Sequence, residues 1–328
     1  MRIKRWLGVL LAMLLLASLS LAACGDDDDD GGNGGGDTAA DTGSSEAIAS
    51  NPDNEGKRIV VGSKNFTEQK VLGEIFAQAL AAAGYDVDKQ LNLGDEKTAL
   101  KALEGGDIDA YPEYTGTALG SFFGVKSNEI PKDPQQAYDD AKAGFAEKSL
   151  TALPPTPFTS SNEVALTKDR ADELGVEKIS DLDGESQDLT LYGSPECRQR
   201  QDCLLGLQDV YGLDFEKFTP VDIALRHKVL TDGQADLSIV FTTDPQIKRE
   251  GFVLLEDDKG MFPPYNSTFV VRDDTLQEAG PDLEKVIAQV EPGLTNEVMQ
   301  ELNARVDLDK KTPEQVATEY LRESGLIE

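Results

Sequence analysis

The sequence predicts an α/β protein of two lobes, because apolar strands and amphipathic helices alternate along two separate stretches of the chain. The predicted strands of the first stretch are 58–61, 87–93 and 107–111. Helices between them give a strand, helix, strand order, which implies a largely parallel sheet with right-handed crossovers. Asn65 or Thr67 is predicted to cap the first helix, and Gly84 follows its last turn.

The second stretch repeats this alternation further along the chain. Its predicted strands are 163–167, 189–193 and 236–241, and its predicted helices are 203–211 and 223–231. The chain is then expected to return to the first lobe through 252–256 and 268–272 and to finish in three helices. The last helix is predicted to begin with Thr312 as its N-cap and Pro313 in its first position.

Two α/β lobes that are joined by two crossings leave a cleft between them. We assign residues 57–160 and 245–328 to lobe I and residues 161–244 to lobe II. Ligands of such sheets bind beyond the carboxyl ends of the strands. The segments 62–66 and 112–117 follow two strands of lobe I, so we expect both at the cleft.

The N-terminus predicts export. Arg2, Lys4 and Arg5 form a positive start, and an apolar run of about 14 residues follows, which is shorter than the ~20 residues of a membrane-spanning helix. Small residues stand directly before Cys24, as in a bacterial lipobox. We therefore predict a signal peptide that ends at residue 23 and an acylated Cys24; the alternative is a plain signal peptide with an incidental cysteine.

Residues 24–56 are predicted to be a disordered acidic and glycine-rich linker. The segment holds a run of aspartates at 26–30, followed mainly by Gly, Asn, Ser, Thr and Ala. It has too little apolar surface to offset the entropy lost on ordering. Directly after a lipid anchor, such a linker would hold the folded body off the outer face of the cell membrane.

The charge of the chain is strongly acidic, with a formal net charge of −30. Without the three basic residues of the signal peptide and the ten acids between Asp26 and Glu55, the body carries about −23. Nucleic-acid binding requires a basic surface, and docking on anionic lipid requires the same. The composition therefore argues against both.

Two cysteines remain in the body, Cys197 and Cys203. A close pair in an exported protein predicts a disulfide. The alternative is a metal site, which would need further ligands; the single histidine, His227, stands in the charged run 226–228 and is predicted to lie at the surface.

The sequence offers little support for catalysis. It contains neither a Gly-x-Ser-x-Gly elbow nor a Gly-x-x-x-x-Gly-Lys loop. Abundant carboxylates in so acidic a body do not indicate a catalytic pair. We therefore predict a protein without enzymatic activity or cofactor, with an exported hydrolase or a solute sensor as remote alternatives.

Four ordered motifs carry a family resemblance. They are Gly-Ser-Lys-Asn-Phe-Thr-Glu-Gln at 62–69, Tyr-Pro-Glu-Tyr-Thr-Gly-Thr at 111–117, Phe-Thr-Thr-Asp at 241–244 and Phe-Pro-Pro-Tyr-Asn at 262–266. The chain resembles the glycine betaine/choline-binding proteins of osmoprotectant ABC importers, the ProX and OpuC type. The resemblance implies a type II periplasmic-binding-protein fold and a monomeric, lipid-anchored protein that delivers a quaternary-ammonium solute to a membrane permease.

The resemblance also implies an aromatic cage for the ligand. A quaternary ammonium has no N–H to donate, whereas aromatic faces attract cations. Tyr114 and Tyr265 match two of the four cage tyrosines of the family, and Phe241 stands where a third is usual. Val164 stands where the fourth is usual, and a valine has no aromatic face. The alternative is therefore a different small solute, such as an ergothioneine-like compound.

The polar part of the implied site is more complete. Lys64 and Thr117 match positions that face the polar end of the ligand, and Asn65 belongs to the same motif as Lys64. Asn162 matches a polar position of the second lobe. Arg200 lies between the two body cysteines and matches an arginine that can hold a carboxylate through two hydrogen bonds.

Overall fold

The structure is a computed structural model that describes residues 47–328. The predicted signal peptide, the acylation of Cys24 and most of the predicted linker lie outside the described residues. Between residues 47 and 328, no helix has the length and apolar character needed to cross a membrane.

The described chain forms two five-stranded sheets with helices around them, which confirms the α/β prediction. Its strands are β1 (Arg58–Gly62), β2 (Asp86–Gln90), β3 (Ala110–Tyr114), β4 (Leu150–Thr159), β5 (Asn162–Leu166), β6 (Thr190–Gly193), β7 (Lys217–Pro220), β8 (Leu237–Phe241), β9 (Val253–Leu254) and β10 (Asn266–Arg272). Its α-helices are α1 (Thr67–Ala82), α2 (Glu96–Gly105), α3 (Thr115–Thr117), α4 (Pro134–Ala146), α5 (Lys168–Leu174), α6 (Leu204–Tyr211), α7 (Lys228–Thr231), α8 (Pro245–Glu250), α9 (Asp273–Ala279), α10 (Asp282–Val290), α11 (Asn296–Asp307) and α12 (Pro313–Glu323).

The three strands of the first predicted series, β1, β2 and β3, pair in parallel as predicted, and each sheet also contains one antiparallel strand. The first has the order β2-β1-β3-β10-β4, and β10 runs antiparallel to β3 and β4. The second has the order β7-β6-β8-β5-β9, and β5 runs antiparallel to its neighbours. The two antiparallel strands, β5 and β10, both start at the cleft, whereas the parallel strands end there.

The third strand lies three residues later than predicted. Residues 107–109 form the turn after α2, where the side chain of Asp109 accepts a hydrogen bond from the Val60 amide over 2.8 Å. All five residues of β3 are buried. Tyr114 is therefore the last residue of a central strand, and sheet pairing rather than a loop fixes its backbone.

The helix caps follow the sequence in one case and differ in another. Thr312 caps α12 by accepting from the amide of Gln315, and Pro313 is its first residue, as predicted. The N-cap of α1 is Phe66, so the prediction of Asn65 or Thr67 is wrong. The hydroxyl of Thr67 instead donates to Asp307 on α11 over 2.7 Å.

Residues 47–56 belong to the folded body, which corrects the predicted extent of the linker. The amide of Ile48 donates to the carbonyl of Leu326 over 2.9 Å, and the Ile48 side chain joins the hydrophobic core. The Asn54 side chain is buried and donates to the carbonyl of Ala83. An isolated isoleucine within a polar segment gave no periodic signal for this packing.

The boundary predicted at residue 245, between lobe II and the second part of lobe I, is wrong for β9, which belongs to the sheet of lobe II. This strand pairs with β5 in the second sheet, and the amide of Leu255 donates to the carbonyl of Val164 over 2.9 Å. Its apolar residues cover the outer side of β5, which would otherwise be an open sheet edge. The chain returns to the first sheet only after this edge is closed.

Candidate functional site

A cavity of about 180 Å³ lies between the two sheets, at the cleft where strands of both lobes begin or end. All eight residues that the family resemblance predicts as ligand-binding line this cavity. They are Lys64, Asn65, Tyr114, Thr117, Asn162, Arg200, Phe241 and Tyr265. The fold therefore brings together residues that are up to two hundred positions apart in the sequence.

Among residues 47–328, four aromatic side chains line the cavity: Phe66, Tyr114, Phe241 and Tyr265. The ring centre of Phe66 lies 5.4 Å from that of Phe241 and 6.3 Å from that of Tyr114. Sequence reasoning missed Phe66, although it lies inside the first motif, directly before α1. It supplies the fourth ring that Val164 cannot supply.

Val164 lies away from the cavity, which corrects its expected place in the cage. It is fully buried within β5 and pairs with Ile239 of β8. Asn162 is two residues earlier on the same strand and does line the cavity. Val164 lies on the same face of β5 as Asn162 but about 6.6 Å further along the strand, where it belongs to the hydrophobic core, and its partner Ile239 rather than Val164 lines the cavity.

Lys64 brings a cation to the rings. Its ammonium nitrogen lies 4.5 Å from the ring centre of Tyr114 and 5.9 Å from that of Phe66. The same nitrogen is ion-paired with Glu113, whose side chain is fully buried. Glu113 also accepts a hydrogen bond from the hydroxyl of Tyr111 over 3.0 Å. The Lys64 charge is thus balanced from within lobe I.

The hydroxyl of Tyr114 is held by a second buried carboxylate. It donates to Glu68 over 2.6 Å, and the other oxygen of Glu68 accepts from the Asn303 amide group over 3.0 Å. Burial raises the pKa of Tyr114 well above its usual value, and the charge of Glu68 raises it further. The hydroxyl therefore stays protonated as a donor, which fixes the ring orientation.

Arg200 links the two lobes at the other end of the cavity. Its Nε donates to Asp202 over 2.7 Å, and its Nη2 pairs with the same carboxylate and lies 3.5 Å from the Thr117 hydroxyl of lobe I. Burial raises the pKa of Asp202, but the charge of Arg200 outweighs burial and lowers it overall. Tyr265 donates to Asp202 and accepts from Asn162 over 3.1 Å, so three predicted residues share one network.

A disulfide joins Cys197 to Cys203, with 5.1 Å between their Cα atoms. Both cysteines line the cavity. Within the loop that they close, the amide of Arg200 donates to the carbonyl of Cys197, and the amide of Cys203 donates to the carbonyl of Arg200. The backbone on each side of Arg200 is therefore tied to the bridge.

A buried charge cluster beside Phe241 was missed, and its arginine, Arg226, lines the cavity. The guanidinium carbon of Arg226 lies 4.5 Å from the Phe241 ring centre, and Arg226 pairs with Asp244. His227 also contacts Asp244 over 2.7 Å and is buried, so the prediction of a surface histidine is wrong. Burial alone raises the pKa of Asp244, but Arg226 and His227 outweigh it and bring the pKa to about 2. Asp244 also accepts from the Phe241 amide, so the cluster positions this ring.

Two lobes that enclose a cavity with aromatic and charged walls define the class of the bilobal solute-binding proteins. Residues 57–323 match the family described as the substrate binding domain of ABC-type glycine betaine transport systems. The chain belongs to this family, whose members are solute-binding proteins of importers rather than enzymes.

Curated relatives and solved structures agree with this assignment. A glycine-betaine-binding protein of Pseudomonas aeruginosa is 33% identical over 287 residues, which cover 84% of this chain and 90% of the relative. An ergothioneine transport permease/ergothioneine binding protein of Helicobacter pylori is 31% identical over 274 residues, which cover 83% of this chain and 48% of the relative. A crystal structure of a glycine betaine/carnitine/choline ABC transporter protein is 27% identical, with a TM-score of 0.64, and covers 81% of this chain and 98% of that chain.

Proposed function

We propose that this protein captures a small quaternary-ammonium solute, of the glycine betaine, choline or carnitine kind, and delivers it to an ABC permease. The observation that carries this proposal is the set of four rings around one cavity: Phe66, Tyr114, Phe241 and Tyr265. A desolvated organic cation gains about 0.5–2 kcal/mol from each well-placed ring. A quaternary nitrogen has no N–H, so rings rather than carbonyls discriminate it from water and from small cations.

The proposed roles of the polar residues follow from their chemistry. Lys64 and Arg200 attract an anionic group of the solute, and Thr117 and Asn65 offer short polar contacts beside them. Asn162 acts mainly by orienting the Tyr265 hydroxyl. Because Arg200 reaches Thr117 across the cleft, a ligand that touches both would favour closure of the lobes.

The proposed setting is the outer face of the cell membrane. Acylation of Cys24 would anchor the protein there as a monomer, with the cysteine bridge formed in an oxidising compartment. The lobes proposed for closure are those built on the two sheets. Mass spectrometry of the native N-terminus tests the anchor, and an intact Met1 or an unacylated Cys24 would contradict it.

A second candidate ligand is an ergothioneine-like betaine, which the Helicobacter pylori relative favours. Thermal-shift and calorimetric titration with glycine betaine, choline, carnitine and ergothioneine test both candidates. A ligand at 100 times its Kd stabilises the folded state by about 2.7 kcal/mol. If none of the four binds below millimolar concentration, the proposal is wrong; if ergothioneine alone binds, the second candidate replaces the first.

A further inference from the structure

Glu96 is a buried carboxylate on the wall of the cavity that none of the roles above uses. It is the first residue of α2, it lines the cavity, and only 5% of its surface is exposed. Across the part of the chain that the structure describes, its Oε1 atom has no hydrogen-bond partner. A buried acceptor without a donor is destabilising, so such atoms in native proteins call for an explanation.

Arg200 does not supply the missing donor. Its Nη1 lies 3.5 Å from Glu96 Oε1, which is an ion-pair contact that lacks the geometry of a hydrogen bond. The closer bonds of the guanidinium, from Nε and Nη2, go to Asp202. One arginine therefore serves two carboxylates, and Asp202 takes its stronger bonds. Arg200 balances the charge of Glu96 only in part, and Glu96 Oε1 can still accept a hydrogen bond.

The backbone holds Glu96 in this place. Asp95 caps α2 by accepting a hydrogen bond from the amide of Thr98 over 2.8 Å. Glu96 thus stands in the first turn of a regular helix, next to the cap, and not on a free loop. A group that is fixed on a rigid element can discriminate between ligands.

We infer that Glu96 accepts a hydrogen bond from the bound solute, and that the site therefore selects quaternary-ammonium compounds that also carry a hydroxyl or an N–H group. The inference rests on the proposed function. A quaternary nitrogen cannot donate, so the donor must be a second group of the solute, as in the hydroxyl of choline or carnitine. Solutes without such a group leave Glu96 Oε1 unsatisfied in the closed cleft.

Matched ligand pairs test this role. Choline and ethyltrimethylammonium differ only in one hydroxyl, as do carnitine and γ-butyrobetaine. A hydrogen bond to a charged group predicts that the wild-type protein binds the hydroxylated member of at least one pair about tenfold more tightly or better. In Glu96→Ala the ratio of the two Kd values should fall to about one. Glu96→Gln keeps an oxygen acceptor without the charge, so its ratio should be intermediate.

The control variant is Glu104→Gln, which removes an acid from the same helix outside the cavity. Its partner is Lys148, and both side chains are substantially exposed. This change should leave the ratios at their wild-type values. Calorimetry of all four proteins provides the Kd values, and circular dichroism verifies folding; Glu96→Gln decides the matter where Glu96→Ala does not fold.

The outcomes separate this inference from the proposed function. Equal binding within both pairs by the wild type, or a preference that survives both Glu96 substitutions, would overturn the role of Glu96 and leave the cage intact. If none of these four compounds binds, glycine betaine and ergothioneine decide: binding of either would overturn the role of Glu96 and leave the cavity as a solute site, and failure of both would overturn the proposed function as well. A wild-type preference that disappears in Glu96→Ala, falls in Glu96→Gln and persists in Glu104→Gln supports the inference.

Discussion

The ammonium nitrogen of Lys64 lies 4.5 Å from the centre of the Tyr114 ring, so the chain holds one of its own cations against a wall of the cavity. This position repels a ligand ammonium and attracts a ligand carboxylate at the same time. Glu113 neutralises the lysine charge only from one side. The balance between the two effects should therefore decide between zwitterionic and purely cationic solutes.

We expect Lys64→Met to shift selectivity from glycine betaine towards choline. Loss of the lysine charge removes a partner for the carboxylate of glycine betaine and a cation that repels choline. The ratio of the two Kd values should therefore move by about tenfold towards choline. The substitution also leaves the buried Glu113 unpaired, so stability should fall, and the ratio is the informative quantity. Lys64→Arg, which keeps the charge, is the control; an unchanged ratio in Lys64→Met would contradict the expectation.

Substitutions of Tyr114 should separate the ring from the hydroxyl. Tyr114→Ala removes an aromatic face and should weaken the best ligand about ten- to thirtyfold. Tyr114→Phe keeps the face and should bind nearly as well. However, it deprives Glu68 of its donor and should lower the free energy of unfolding by about 1–3 kcal/mol. Calorimetry and urea denaturation measure the two effects, and wild-type affinity in Tyr114→Ala would mean that the ring only packs.

We expect Phe66, and not Val164, to act at the fourth position of the aromatic cage. Phe66→Leu retains an apolar side chain without an aromatic face and should weaken an ammonium ligand by about tenfold. Val164→Tyr inserts a ring into a fully buried position, so it should destabilise the fold by about 1–3 kcal/mol without improving affinity. Tighter binding of glycine betaine by Val164→Tyr would restore the original assignment.

The contrast between Phe66 and Val164 indicates how far the sequence leads. Tyr114 and Phe241 could be predicted because their motifs resemble the cage segments of the family, and for Tyr114 the position after a strand of the first lobe also placed it at the cleft. Phe66 ends the segment 62–66, which was expected at the cleft, but a phenylalanine just before a helix commonly packs against that helix, so Phe66 was not predicted as a ligand-binding ring. The depth of Val164 depends on the pairing of β5 with β8, which the sequence does not specify.

Charged partners were harder to predict than rings. No local sequence pattern connects the charge cluster, because Arg226 and His227 precede β8 and Asp244 follows it. Only the turn after β8 brings Asp244 back to the pair. The strand β4 was also missed, because its three prolines and weak alternation resemble a loop. Tertiary contacts decide such features, and periodicity does not contain them.

The disulfide should matter more for binding than for stability. Cys197 and Cys203 close a short loop, so the cross-link restricts the unfolded chain by less than about 3 kcal/mol. The same bridge holds the backbone of Arg200 on both sides. We expect the double substitution Cys197→Ser, Cys203→Ser to weaken a carboxylate-bearing ligand by about tenfold or more and to affect choline less. Equal losses for both ligands would show that the bridge does not act through Arg200.

The side chain of Glu291 should make the protein less stable at alkaline pH. It is 3% exposed, and its Oε1 finds no hydrogen-bond donor within residues 47–328. Burial raises the pKa of this carboxyl group from 4.5 to about 8. Between these two values the folded protein holds a proton that the unfolded chain has released. The stabilising contribution is therefore complete below pH 4.5 and is lost as the pH rises towards 8.

Glu291→Gln removes this titration and keeps the size of the side chain. Relative to wild type, the variant should gain about 1–3 kcal/mol in free energy of unfolding at pH 8, and the gain should shrink towards zero near pH 4.5. Urea denaturation at the two pH values measures the difference. Glu284→Gln, an exposed acid on α10, is the matched control and should change little at either pH. If the unfolding free energies of Glu291→Gln and wild type depend on pH in the same way, the expectation is wrong. The Glu291 carboxyl group would then be ionised in the folded state and hydrogen-bonded to water.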